Sequence, residues 1–387
     1  MGQQPIPPTD PDVRREIVDG VRRFVAREVL PHVADLEHAD EYPVDIVRQM
    51  QAMGLFGVTI PEAYGGLGLD LPTYVGVVEQ LAYGWMSLTG IINTHTMAAL
   101  LLMQHGTEEQ RQRLLPAMAA GERRGALSLS EPDAGSDTRS LSCRAMRDGD
   151  EYVINGTKAW VTNGERASIV ALAARADEGI SAFIVEKEPG TKFQGITVSR
   201  HVSKLGYRGV ETVEMSYADH RIPASNLLGE PGRGLPAILS ALEVGRINIA
   251  ARAIGVAQAA FDAALSYAQL RTTFGKPIAE HQAIQLKLAD MATKLEAAKL
   301  LTHSAAERKA TGQRCDVEAG MAKLFASETA FELATEAMRI HGGVGYTTEL
   351  PLERYYRDAP LMMIGEGTNE IQRLVIARGL LARAGGN

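Results

Sequence analysis

Past Pro236 the chain runs to Arg271 without another proline and is rich in Ala, Ile and Leu. That stretch predicts one helix of about 35 residues, about 50 Å long. Two more helical segments follow at 280–311 and 316–341, then a short one at 368–383. Four helices of this kind predict a bundle.

The remainder has two other textures. Residues 11–120 carry the helical period. Val13, Ile17, Val21, Phe24, Val25 and Val29 fall near one face, and Pro31 closes the segment. "EYPVDIVRQMQAMGLFG" predicts a helix ending near Gly54, "IPEAYGGLGLD" a glycine-rich loop, and "TYVGVVEQLAYG" and "EEQRQRLLPAMAAGE" further helices. From Ala126 to about Ile222 short strands take over. "SIVALAAR", "SAFIVEK" and "ETVEMSYA" are strand candidates, while Asn155-Gly156 and Asn163-Gly164 favour hairpin turns. A compact antiparallel β domain is expected, open or barrel-like. The fold class is therefore α+β, mostly α: an N-terminal helical domain at 1–125, a middle β domain at 126–233 and a C-terminal helical bundle at 234–387.

A chain of 387 residues has room for two or three domains with a sizeable core. With 40 basic and 47 acidic residues its net charge is -7, which argues against nucleic acid or an anionic membrane as the main partner. No uncharged apolar run reaches the ~18 residues of a membrane span, and "NTHTMAALLLMQH" is short and carries two histidines. The N-terminus lacks a secretory apolar core, and its early aspartates do not suit a transit peptide. Cys143 and Cys315 are far apart and form no C-x-x-C, so a reduced, cytoplasmic setting is expected. "QQPIPPTD" reads as a loose arm.

Several chemistries lack their motifs. No G-x-G-x-x-G follows a strand, and there is no P-loop, H-E-x-x-H, paired cysteine or G-x-S-x-G elbow. No metal site is expected, and lone histidines such as His95 and His281 read as structural. Four constellations remain. "LSLSEPDAGSD", 127–137, offers hydroxyls and backbone amides that suit an anionic or heteroaromatic ligand, or make an ordinary surface turn. "TKAWVTNG" carries Trp160 and Thr162; the indole either covers a flat cofactor or sits in the core. In "LRTTFGKPIAEHQ", Arg271 either pairs with a phosphate or caps a helix. Last, "RIHGGVGY" and "MMIGEGTNEIQRLV" place glycines where a ligand approaches the backbone or a helix ends.

Taken in order, "SEPDAGSD", "AWVTNG", "RTTFGKPIAEHQ", "HGGVGYTTELPLERYYRDA" and "EGTNEIQR" resemble the acyl-CoA dehydrogenase family of flavoproteins, from about residue 12 to the C-terminus. The resemblance implies a helical domain, a β domain and a four-helix bundle. It implies FAD in an extended form between the last two, and a homotetramer or homodimer in which neighbouring subunits share each FAD. Leu127, Leu129, Ser130 and Ser136 match the segment bordering the flavin ring, with Trp160 and Thr162 at its face and edge. Arg271, Phe274 and Gln282 match residues gripping pyrophosphate and adenosine, and Arg339, Gly342 and Gly343 the adenine side. Many relatives have Gln where Arg339 stands. Thr368 and Glu370 match a further FAD contact, while Ser136, Glu243, Arg246 and Gly367 match contacts to the CoA thioester.

The implied reaction is α,β-dehydrogenation of an acyl-CoA to a trans-2-enoyl-CoA. A base takes the α-proton while the β-hydrogen leaves as hydride to the flavin. Glu366 matches the base. A free Glu is weak in that role, with a pKa of ~4.3. Burial among Met362, Met363, Ile364 and a flat substrate is expected to raise it toward the optimum for neutral pH. Gly365 and Gly367 let backbone and substrate meet closely. Ile371, Leu374 and Val375 then begin a helix with an apolar face. Some relatives carry the base just before the bundle arginine; here that place is Gly245, which cannot serve.

Many straight-chain relatives have Tyr where Gly365 stands, which suggests a branched or bulky acyl group. Relatives acting on dicarboxylic substrates use an Arg in the second half of the N-terminal domain. "WMSLTGIINTHTMAALLLMQH" has neither Arg nor Lys, so a dicarboxylic substrate is not expected unless another segment supplies the cation. Electrons are expected to pass to an electron-transferring flavoprotein. The rival readings are an oxygen-using oxidase or monooxygenase on the same fold, a silent acyl-CoA-binding homologue, and a carrier-bound substrate.

Overall fold

The computed structural model of the protein describes residues 6–385. Its first third holds six helices: α1 (Pro11–Phe24), α2 (Val33–His38), α3 (Val44–Ala52), α4 (Leu71–Gly84), α5 (Met86–His105) and α6 (Glu108–Ala119). Each start has a chemical cause. Pro11 opens α1 under the Asp10 carboxylate, which accepts from the Asp12 and Val13 amides. A Thr107/Gln110 capping box opens α6. The chain does not stay α-helical up to Pro31, because Val25–Val29 widens into a turn in which the Leu30 amide donates to the Val25 carbonyl at 2.9 Å. Of the expected loose arm, residues 3–5 lie outside the described residues, and Thr9 is docked. The Thr9 amide donates to Asp70 Oδ2 at 3.0 Å, and the Asp70 amide donates to Thr9 Oγ1 at 3.1 Å.

A nine-stranded sheet follows: β1 (Gly125–Ser128), β2 (Arg144–Asp148), β3 (Glu151–Thr162), β4 (Ile169–Ala176), β5 (Gly179–Glu186), β6 (Lys192–Phe193), β7 (Ile196–His201), β8 (Thr212–Pro223) and β9 (Leu227–Leu228). Their order is β6-β7-β8-β3-β2-β4-β5-β9. Two expectations need correcting here. The sheet is not wholly antiparallel, since β1 pairs with β4 in parallel from Gly125↔Ile169 to Ser128↔Leu172. Nor does Asn155-Gly156 make a hairpin: it lies within β3, where the register against β8 slips between Ile154 and Gly156. The extra residue lies on β8, which takes three steps from His220 to Tyr217 against two in β3, so β3 continues through the dipeptide. Asn163, with φ 62, does end the strand, and its Nδ2 donates to the Ile91 carbonyl at 2.9 Å.

The last domain contains α7 (Gly234–Leu270), the two-residue ladder β10 (Thr272–Thr273) and β11 (Lys276–Pro277), then α8 (Gln282–Ala310), α9 (Asp316–His341), α10 (Leu352–Ile364) and α11 (Asn369–Gly385). The expected bundle of four helices thus gains a fifth, α10, whose helical period is interrupted by Pro360. The apolar face of α11 is only half covered, with Leu374 and Leu381 exposed.

Helix α5 ties the molecule together. Leu88, Ile91 and Ile92 belong to the core shared with α4 and α7, whereas Met97, Leu101 and Leu102 pack into the core beneath β4 and β5. Both α5 and α7 have the length and hydropathy of a membrane span, and 94% and 72% of those windows are buried inside the protein. Between the two cores, α5 carries the polar run Asn93, Thr94, His95, Thr96, all buried.

Candidate active site

The turn after α10 is held from below. Lys323, fully buried on α9, donates to the carbonyls of Met363 at 3.1 Å and Gly367 at 2.9 Å and to Asn369 Oδ1 at 2.8 Å. Gln372 Nε2 adds bonds to the carbonyls of Glu366 at 3.2 Å and Gly367 at 3.0 Å. These donors satisfy carbonyls that the end of α10 leaves without helical partners. They also fix Glu366 at φ 58, an unfavourable backbone for a residue with a side chain. Gly367 follows at φ 87, and a Cβ there would lie 2.8 Å from Gln372 Nε2.

That turn drives the Glu366 carboxylate inward. Asn93 Nδ2 donates to its Oε1 at 3.0 Å, and its Oε2 is buried with no hydrogen-bond partner. The carboxylate lies against Gly245 of α7, where an added Cβ would sit 2.5 Å from Oε2. Burial pushes the Glu366 carboxyl above its ordinary range, opposed by the charge of Arg252, the Asn93 hydrogen bond and the charges of Arg246 and Lys323. The expected burying neighbours are partly wrong. Met362 is buried, but Ile364 is 62% exposed, so α5 and α7 supply the enclosure that the adjacent apolar run does not.

Arg246, one residue past Gly245, is also buried, and its Nε has no partner. Glu243 accepts from Lys309 Nζ at 2.6 Å and approaches Cys315, so its carboxylate is already committed.

On the sheet side, buried Lys158 holds the 127–137 loop. Its Nζ donates to Glu131 Oε1 at 2.7 Å and to the Leu129 carbonyl at 3.0 Å. Burial pushes the Glu131 carboxyl up, but Lys158 and the amides of Ser142 and Cys143 more than offset it and leave it below the ordinary range. Leu127 is fixed to α5 by its amide donating to Thr94 Oγ1, and Ser130 to β3 by its carbonyl accepting from Ala159. Ser136 is exposed on the loop. A bulge in β3, between Lys158 and Val161, sets Trp160 at φ 61 with its indole 63% exposed while Ala159 and Val161 are buried. Thr162 follows at the strand end, facing Tyr207. A wet indole on a strained bulge, beside half-buried Leu127, Leu129 and Ser130, fits a flat heteroaromatic group.

A second set lies elsewhere. Arg271 caps α7, Phe274 is 97% exposed on the following turn, and Gln282 begins α8. Arg339, Gly342 and Gly343 lie at the end of α9, which Tyr267 and His341 join to α7 by stacking at 4.2 Å. Arg339 is paired with Glu336. These six residues share one end of the bundle. Lys323, beneath the Glu366 turn, is sixteen residues before Arg339 on α9, or about 24 Å along the axis. The chain brings Glu366, Gly367, Gly245 and Arg246 together and does not bring the Arg271 set to them. Thr368 and Glu370 sit on the Glu366 side, where Thr368 Oγ1 accepts from the Ile371 amide at 3.4 Å.

Asn93, Asn248, Arg252 and Tyr207 were not singled out from sequence. The available signal was polarity in the wrong place: "NTHT" within an apolar helix, and Asn248 and Arg252 within "RINIAARAIG". By contrast His95 reads correctly as structural. Its Nδ1 accepts from the Gly125 amide at 3.0 Å, and burial, with Arg124 nearby, pushes its pKa down to about 3.

Three family models cover nearly the whole chain: the N-terminal, middle and C-terminal domains of acyl-CoA dehydrogenase match residues 11–122, 126–220 and 232–381. The bovine mitochondrial short-chain specific acyl-CoA dehydrogenase (Bos taurus) is 42% identical over 378 residues, 96% of this chain and 90% of that protein. Butyryl-CoA dehydrogenase from Megasphaera elsdenii superposes with a TM-score of 0.93 at 35% identity, covering 96% of this chain and 99% of that one. A chain in a structural study of the electron transferring flavoprotein of Acidaminococcus fermentans gives a TM-score of 0.93 at 37% identity, over 96% and 99% of the two chains. The chain belongs to the acyl-CoA dehydrogenase family, flavoprotein oxidoreductases that act on a CH–CH bond.

Proposed function

We propose that the protein removes the α-proton of an acyl-CoA thioester with Glu366 and releases a trans-2-enoyl-CoA. One observation carries this above all: a buried carboxylate, raised in pKa, with Oε2 unpartnered. A carboxylate in that state is a stronger base than one in water and has a lone pair free to accept. Asn93 fixes its orientation, and the Lys323-bound turn fixes its backbone. Removing this proton inside a dry site needs no rearrangement of the base.

FAD, when bound, supplies the two-electron acceptor for the β-hydrogen. Leu127, Leu129, Ser130, Ser136, Trp160, Thr162, Thr368 and Glu370 would hold it on the Glu366 side. Arg271, Phe274, Gln282, Arg339, Gly342 and Gly343 lie at the far end of the bundle, which suits an FAD shared between the subunits of a homodimer or homotetramer. Arg246 and Gly367, with Ser136 and the backbone near Glu243, would position the thioester. Electrons pass on to an electron-transferring flavoprotein, and the enzyme works in the cytoplasm, with domain boundaries at 125/126 and 233/234. Room beside the base favours a branched or bulky acyl group: a Cβ at Gly365 would meet only the Leu361 carbonyl, at 3.5 Å.

The test is anaerobic titration of the yellow protein with an acyl-CoA panel. Flavin bleaching is expected with wild type, and binding without bleaching with Glu366→Gln. Bleaching by Glu366→Gln at the wild-type rate would remove the base from this scheme.

A further inference from the structure

We propose that Arg252 makes the inner end of the acyl site a receptor for negative charge, so that the preferred substrate is an acyl-CoA whose chain ends in a carboxylate. The inference rests on Glu366 being the base and names the substrate class of that same site.

Helix α7 presents Gly245, Asn248 and Arg252 at positions i, i+3 and i+7, which share one face. Gly245 touches the Glu366 carboxylate. Seven residues on, Arg252 stands about 10 Å further along the same helix. An acyl chain that places its reacting carbons at Glu366 and follows α7 inward meets Asn248 and then Arg252.

The guanidinium is 4% exposed. Among the described residues no carboxylate comes within ion-pair distance of it. Its Nε donates to Asn248 Oδ1 at 2.6 Å, and its Nη2 reaches the Thr89 carbonyl only at 3.4 Å. Tyr207 lies against it, with ring centre and guanidinium carbon 6.0 Å apart, and its hydroxyl takes a further hydrogen bond from the guanidinium. A guanidinium has five N–H donors, and these neutral contacts use only part of them. Burying a charge without an ion pair is unfavourable, and an arriving anion relieves it. Glu366 supplies opposite charge through space but makes no ion pair with Arg252, since its Oε1 is bound by Asn93 and its Oε2 faces Gly245.

The surrounding wall is polar as well. The Tyr74 hydroxyl accepts from Asn248 Nδ2 at 3.0 Å, and Asn93 Oδ1 is buried without a partner. A site for a plain hydrocarbon tail gains nothing from these groups. A terminal carboxylate gains a forked pair of N–H bonds from Arg252. The position on α5 facing this region, Gly90, is filled by Tyr207, since a Cβ there would lie 1.5 Å from the Tyr207 hydroxyl. The cation missing from "WMSLTGIINTHTMAALLLMQH" therefore comes from α7.

The test compares kcat/KM of the FAD-loaded enzyme for glutaryl-CoA, its terminal amide glutaramyl-CoA, and hexanoyl-CoA. Wild type is expected to favour glutaryl-CoA over the amide by about 100-fold. Arg252→Gln should move the pH profile of all three substrates upward, since Arg252 also holds the Glu366 carboxyl down, and beyond that shared shift should lose most of the acid-to-amide preference, chiefly through KM for the acid; Arg252→Lys should retain part of it. Equal or better turnover of the neutral acyl groups by wild type overturns the proposal without needing a variant. An Arg252→Gln loss equal for all three substrates, with a shifted pH profile, also overturns it, because Arg252 then serves Glu366 alone. In both cases Glu366 as the base survives. Absence of flavin bleaching with any acyl-CoA removes the base assignment and this inference together.

Discussion

Gly245 is the position whose change reports most directly on the base. In Gly245→Ala the new methyl would sit 2.5 Å from Glu366 Oε2 and 2.9 Å from Cδ, whereas ordinary contact begins at 3.4 Å. The carboxylate must retreat by about 1 Å, a misplacement that typically lowers a rate about 100-fold. That corresponds to about 2.7 kcal/mol of activation free energy. Folding should not suffer. The displaced atoms end a side chain, and Ala in a helix interior is favoured over Gly by about 1 kcal/mol. The assay is stopped-flow flavin bleaching under anaerobic conditions, with thermal melting and flavin content as controls. Expected is a large fall in the bleaching rate at unchanged or raised melting temperature. A variant with full flavin, unchanged melting and an unchanged bleaching rate would show that the carboxylate seated against Gly245 is not the working base.

Other consequences follow from named contacts. Asn93→Ala removes a hydrogen bond that favours ionised Glu366, so the rising limb of the kcat–pH profile should move to higher pH, and activity lost at neutral pH should return in alkali. Lys323→Met leaves the Met363 carbonyl without a donor and the Gly367 carbonyl with Gln372 alone; a loss of about 2 kcal/mol is expected in urea unfolding, together with slowed turnover. Lys158→Met strands the buried Glu131 charge, and a similar loss of about 3 kcal/mol should appear with weakened flavin retention. His95 is held neutral, with a folded pKa of about 3 against an ordinary 6.5. The unfolded chain takes up that proton first, so stability should fall as pH drops from 6.5 toward 3, and His95→Phe should flatten that part of the acid limb.

Sequence pattern made the long helices legible because α7, α8 and α9 keep one period over many turns. It missed α10, where Pro360 interrupts the pattern. It took Asn155-Gly156 for a turn because that dipeptide favours hairpins, and only pairing with β8 shows that β3 runs through it. Glu366 was legible through its glycine-flanked motif. Its real enclosure was not: Asn93 and Gly245 are 273 and 121 residues away in sequence, and nothing local says that α5 and α7 close over the turn. Arg252 stayed hidden for a related reason, since one charge in an Ala-rich helix reads as a surface residue until burial is known.

The order in which the site is completed has a cellular consequence. Asn93 belongs to the first helices made, Tyr207 to the middle of the chain and Gly245 to the long helix after it, while the carboxylate comes from residue 366 of 387. On the ribosome, a growing chain can shape its sheet and most of its bundle before the base emerges. With Glu366 as the proposed base, the nascent protein has no means of taking the α-proton from a thioester until the last turn docks on Lys323, and unfinished molecules would be chemically silent.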